Sequence, residues 1–245
     1  MALIEQDIVI TTKHGHMPGF AACPDEPGWF PGIIFYMDAP GYREELCNMA
    51  RRIAKQGYFC VLPDMYYRLG TIRFDLPRRN DGMSAVVMAS MNHLTNSDVV
   101  DDTAGILGFL DAQDKCAPGA VGCVGHCMSG QYITTVAAKF PTRIVAAASM
   151  YGVKIVTDQE DSPHLLLDQV QGELYYAFAE VDAHVPDHVI PDLSAALEAA
   201  GATHEVEVFP GTEHGFQFAE RAVYAPIAAE AAWDKIFALW QRRLK

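Results

Sequence analysis

The sequence predicts an α/β fold: a single layer sandwich on a mostly parallel sheet of about seven or eight strands flanked by helices. Three observations carry this. Strand-like runs and runs with helical spacing alternate along the chain. Several of the strand-like runs are short and nearly all apolar, as strands buried on both faces must be. The chain has 245 residues and is 50% hydrophobic, enough for one sizeable core. No linker-like stretch divides it, so residues 1–245 are expected to form one domain.

The elements follow in order. "DIVITT" at residues 7–12 is rich in β-branched side chains and reads as a strand. "GIIFYM" at 32–37 reads as a strand buried on both faces. Residues 42–57 place Leu46, Ala50, Ile53 and Ala54 at helical spacing, and Gly57 stands where that helix should end. "YFCVLP" at 58–63 is the next strand. Residues 64–96 carry no clear period, and their Arg68, Arg73, Arg78 and Arg79 read as a solvated loop. Asn96 or Ser97 is expected to cap a helix over 98–113 whose first turn is acidic. A strand at 119–125, a helix at 128–140, and strands at 143–152 and 172–182 follow. A helix near 190–200 stops at Gly201, "HEVEVFP" at 204–210 is the last strand, and a helix over 225–243 closes the chain. Its Ala229, Ala232, Trp233, Ile236, Phe237 and Trp240 form a stripe that reads as core packing.

Bulk properties narrow the function. The formal net charge is -13, which disfavours partnership with nucleic acid or an anionic membrane. No apolar stretch is long enough to span a bilayer, and "MALIEQDIVI" lacks the basic start of a signal peptide. A cytoplasmic location is the expectation. The six cysteines form no CxxC pair, so reduced thiols are expected rather than a disulfide framework or a zinc ribbon.

"VGCVGHCMSG" holds the densest chemical signal. A strand ends near Gly125 and a helix begins near Met128, with Cys127 at the turn between them. A nucleophile elbow is a G-x-S-x-G run at such a turn; here Cys127 takes the serine's place, Ser129 the second glycine's, and Gly130 follows. The neighbours must be small, or they collide with the adjacent strand and helix. The turn also presents backbone N–H groups that can stabilise a thiolate or an oxyanion. Taken alone, the run fits a buried structural cysteine equally well. Cys123, two residues earlier and inside the strand, is expected to be just that.

A nucleophilic thiol needs a base and an acid to orient it, and on such a sheet they should follow in the order nucleophile, acid, histidine. His214 sits in a glycine-flanked loop after the last strand, at the carboxyl edge where α/β sites form. His204 opens the same strand at its other end. Asp182 directly follows the strand 172–182 and is preferred over Glu180 and Asp187. His184 and His188 could mimic a metal pair, but Pro186 makes their segment a loop, and no metal is expected.

With these residues in place, the chain resembles the dienelactone hydrolase family of α/β-hydrolases. The resemblance rests on "GHCMSG", "DAHVP" and "EHGF", and extends over "GIIFYMDAPGYREELCNMARRIAKQGYFCVLPDMYYR". It implies an α/β-hydrolase fold without a separate lid domain, and Cys127, Asp182 and His214 as nucleophile, orienting acid and base. It further implies a carboxylate that interacts with the thiol. Asp38 stands there, one methylene shorter than the family's usual Glu. The oxyanion hole would use the N–H groups of Ala39 and Met128. Members that act on dienelactone carry an arginine four residues after the histidine; here that position is Phe218. Tyr36, Met37, Tyr66, Tyr67, Phe216 and Phe218 suggest a rather apolar, aromatic substrate pocket.

The expected activity is therefore hydrolysis of a small ester or lactone through a Cys-His-Asp triad and a thioester, without cofactor, in a monomer or small homo-oligomer. The alternative is a non-hydrolytic acyl- or ligand-binding relative, or an acyltransferase, on the same fold.

Overall fold

The computed structural model describes residues 1–245. It has the mostly parallel, eight-stranded α/β architecture expected. The chain forms two compact units, Met1–Gly119 and Ala120–Lys245.

The first unit opens with a hairpin. β1 (Leu3–Thr12) pairs antiparallel with β2 (Gly15–Pro24), from Leu3 opposite Pro24 to Thr12 opposite Gly15. The second strand was not expected from the sequence; it contains Gly15, Pro18, Gly19 and Pro24, residue types that strands disfavour. β3 (Gly32–Tyr36) and β4 (Phe59–Pro63) are parallel neighbours with every residue buried, and β2 pairs antiparallel with β4. Gly19 is required at that last pairing, because a Cβ there would lie 2.7 Å from the Leu62 carbonyl oxygen. Between β3 and β4 runs α1 (Glu44–Lys55), with glutamates in its first turn, basic residues in its last, and Gly57 beyond its end at φ 85°.

Residues 64–96 hold more structure than their sequence suggested. Two short 3₁₀ turns lead into α2 (Asp81–His93), capped by Asn80 Oδ1, which accepts from Met83 N–H at 2.9 Å. α3 (Asn96–Asp111) starts earlier than expected. Its cap is Thr95, which forms a reciprocal capping box with Asp98. The reading of the arginines as solvated also needs correction. Arg68 grips the buried Asp102 through two bonds of 2.8 and 2.9 Å, and Arg73 reaches Asp64 at 2.8 Å. A buried carboxylate requires such a partner. Arg78 is exposed, as expected.

The second unit is wholly parallel. β5 (Val121–His126), β6 (Ile144–Met150), β7 (Glu173–Val181) and β8 (Thr203–Glu213) lie side by side in chain order. After β5 the chain makes one 3₁₀ turn, Cys127–Ser129, and enters α4 (Gly130–Lys139). α4 is buried from Gly130 to Ala138, so it is a core helix rather than an amphipathic surface one. α5 (Val189–Ala200) stops at Gly201, whose φ of 64° ends it in the left-handed region. α6 (Pro226–Leu244) buries Ala229, Ala232, Trp233, Ile236 and Trp240 as the stripe foretold, with Leu239 more deeply buried than Phe237.

Close backbone packing supports the turn after β5. A Cβ on Gly130 would fall 2.1 Å from the Gly152 Cα, and one on Gly125 would fall 2.7 Å from Ser129 Cβ. Gly108 on α3 has open space around it and no unusual φ. Gly130→Ala is therefore expected to lower unfolding stability in urea by about 1–3 kcal/mol through overpacking. Gly108→Ala should raise it by about 0.5–1 kcal/mol through helix propensity.

Candidate active site

Cys127 stands at the carboxyl end of β5 with φ 52°, a left-handed conformation that non-glycine residues seldom adopt. The small neighbours at 125, 129 and 130 make that conformation possible, and the Val153 N–H pins it by donating to the Cys127 carbonyl at 3.0 Å. The thiol is partly exposed, whereas the other five cysteines are buried. Cys123 is wholly buried, and burial pushes its thiol far above the ordinary range. The two cysteines of one short stretch thus occupy opposite environments.

Asp182 follows the end of β7 and His214 follows the end of β8, and the structure brings them together. His214 Nδ1 donates to Asp182 Oδ2 at 2.6 Å, with the two side chains 12% and 4% exposed. The other Asp182 oxygen accepts from the His184 N–H at 2.9 Å, which fixes the carboxylate plane. Glu180, a rival acid, is engaged elsewhere, accepting from Gly211 N–H at 2.7 Å. His204 is near the opposite end of β8 and donates to the Ala202 carbonyl. The His184 ring packs edge-on against His214, with centroids 4.7 Å apart.

Burial alone would pull the His214 pKa down. The Asp182 carboxylate and Cys127 outweigh it and hold the imidazole at about 9. Cys127 therefore faces the ring closely enough to favour its charged form. Nε2 is buried but makes no hydrogen bond of ordinary geometry, so the sulfur and the ring are neighbours without a fully aligned bond.

Tyr151, which the sequence gave no reason to single out, completes this cluster. It has φ 39°, and its ring lies edge-on to His214 at 5.1 Å and to Phe216 at 5.4 Å. Its only sequence signal is the Tyr-Gly pair at the end of an apolar strand. Arg221 folds back over the buried Phe218 ring at 4.2 Å and approaches Gly215, where a Cβ would lie 2.7 Å from its guanidinium.

Most of the other candidates lie in the first unit. Asp38 is fully buried and paired with Arg43, whose guanidinium reaches its two oxygens at 2.5 and 3.3 Å and also binds Glu45. Arg43 had not been expected as its partner. Ala39 is buried and its carbonyl accepts from the Tyr66 hydroxyl at 2.7 Å. Met128, in the second unit, is fully buried in the turn after β5. Tyr36 and Met37 are core residues, with the Tyr36 hydroxyl 2.7 Å from Thr103 Oγ1. The half-buried Tyr67 donates to Asp102.

Comparison with known proteins identifies the family. The model of the dienelactone hydrolase family matches residues 17–244. A Synechocystis protein provisionally named carboxymethylenebutenolidase is 27% identical over 241 residues, covering 97% of this chain and 96% of its own. The crystal structure of a provisionally named dienelactone hydrolase from Klebsiella pneumoniae superposes with a TM-score of 0.88 at 23% identity, over 99% of this chain and 100% of that one. A dienelactone hydrolase-like promiscuous phosphotriesterase from metagenomic libraries gives 0.82 at 16% identity, over 99% of each. Family and fold converge: the chain belongs to the dienelactone hydrolase family and is a hydrolase of the α/β-hydrolase fold.

Proposed function

We propose that the chain hydrolyses small esters or lactones through a thioester on Cys127, with His214 as proton carrier and Asp182 as its orienting acid. The observation that carries this reading is the buried 2.6 Å bond from Asp182 to a histidine whose charge is also favoured by Cys127.

With the proton on His214, the Cys127 thiolate attacks the carbonyl carbon, and the oxyanion forms near the Met128 N–H. A second donor, the Ala39 N–H, is assigned on the family pattern alone. Collapse of the tetrahedral adduct breaks the ester C–O bond, and the imidazolium gives its proton to the leaving oxygen. Forming the thioester removes the thiolate charge. Two of the influences that raise the His214 pKa then vanish, and the ring becomes a neutral base suited to take a proton from water. Hydroxide addition expels the thiolate and restores the imidazolium.

Asp38 is proposed to interact with the thiol, again on the family pattern; its own unit pairs it with Arg43. The relatives' name suggests a lactone, and Phe218 in place of an arginine favours a less strictly anionic substrate. Of the side chains expected to line the pocket, Tyr36, Met37 and Tyr66 are instead buried in the first unit, and Phe216 and Phe218 are fully buried in the loop that carries His214.

Cys127→Ala should abolish hydrolysis of p-nitrophenyl acetate and block active-site labelling by iodoacetamide, whereas near-normal turnover would defeat the triad. A second expectation concerns pH. The His214 pKa is raised on folding from about 6.5 in the unfolded chain. Its contribution to stability is fully present below that value and is lost as pH rises through about 9. In thermal melts, the advantage of wild type over His214→Gln should shrink across that window.

A further inference from the structure

His126 precedes Cys127 on β5 and takes no part in the chemistry above. It is fully buried, and its Nε2–H donates to Gln217 Oε1 at 2.9 Å across 91 residues of sequence. Gln217, three residues after His214 and 4% exposed, lies between β8 and α6 in the loop that carries the base. We propose that the His126–Gln217 hydrogen bond is a positioning device that sets the Cys127 sulfur against the His214 imidazole. The inference rests on the triad reading and deepens it.

Strand geometry explains the reach. Side chains alternate along β5, and Gly125 faces Ser129 and Ile133 on the α4 side. His126 therefore points to the opposite face, where Phe218 and Trp233 lie with ring centroids at 5.2 and 6.4 Å. An imidazole closed in by aromatic rings strongly favours keeping its hydrogen bond, because a buried polar group without one is costly.

The bond also supplies what Asp182 does not. Asp182 fixes the tilt of the His214 ring from the end of β7. Cys127, however, belongs to the end of β5. His126–Gln217 ties that strand end directly to the His214 loop, one residue from the sulfur's Cα on one side and three residues from the base on the other. Tyr151 fills the space between, with its ring 5.6 Å from His126 and 5.1 Å from His214. Two anchors from two different strands thus triangulate one imidazole.

The test is Gln217→Leu, which removes the acceptor at similar volume. Its kcat/KM for p-nitrophenyl acetate should fall about ten- to a hundred-fold, as for a small misplacement of reacting groups. The loss should lie in kcat, with KM changed by less than about two-fold. The pH midpoint for iodoacetamide alkylation of Cys127 should rise by about half a unit or more, since the thiolate loses its imidazolium neighbour. Gln217→Glu, which keeps an acceptor oxygen in place, should recover most of both quantities; no recovery would count against the hydrogen bond. If Gln217→Leu does not fold, His126→Asn, too short to reach Gln217, should give the same shift. A wild-type alkylation profile and kcat in either soluble variant, with only the melting temperature lowered, would make the bond a structural brace and overturn the proposal. That outcome is distinct from turnover by Cys127→Ala, which would defeat the triad itself.

Discussion

The left-handed backbone of Cys127 is the constraint on which the second unit's site depends. A side chain at φ 52° is held there only if its surroundings leave no alternative. Three glycines provide this. Gly125 leaves room for Ser129 and Ile133, and Gly130 and Gly152 bring two backbones together so closely that no Cβ fits between them. The Val153 N–H then fixes the Cys127 carbonyl. The strand thus ends, the helix begins, and the thiol is left partly exposed between them, while Cys123 on the same strand is sealed in. Chemistry at this position follows from packing two residues away.

Electrostatics builds on that placement. Two opposing effects meet at His214: burial disfavours its charge, and Asp182 and Cys127 favour it. The partners win, and the imidazole titrates at about 9. Such a ring would be a poor base throughout a catalytic cycle if its environment were constant. In the proposed cycle it is not constant, because the thiol's charge would appear and disappear with the thioester while the Asp182 bond stays. On that proposal the fixed partner would hold orientation and the variable partner would adjust basicity.

The sequence was legible where a residue's role depends on local pattern. Strands buried on both faces show as short apolar runs, and β3, β4 and β5 were placed within a residue or two. The turn at Cys127 and the pairing of Asp182 with His214 could be anticipated because each residue follows a strand. β2 was hidden because Gly19, forced by the Leu62 backbone, looks like a turn residue when only its neighbours are seen. α2 has little apolar periodicity to reveal it. The charge pairs were illegible for a different reason. Arg68 and Asp102 are 34 residues apart, and no periodicity tells an arginine whether it will find a buried carboxylate or water.

These features together suit a thiol better than a hydroxyl. Asp182 already supplies one anionic neighbour for the imidazolium, and in general a thiol gives up its proton at far less cost than a hydroxyl. With a hydroxyl at position 127, the contributions of Cys127 to the His214 pKa would be gone and only Asp182 would oppose burial. The glycine packing would still present the side chain at the same angle. Shape would survive and the charge balance would not. The elbow in this chain therefore supplies geometry that either nucleophile could use, and on the proposed reading the charge balance at His214 is what would distinguish the thiol.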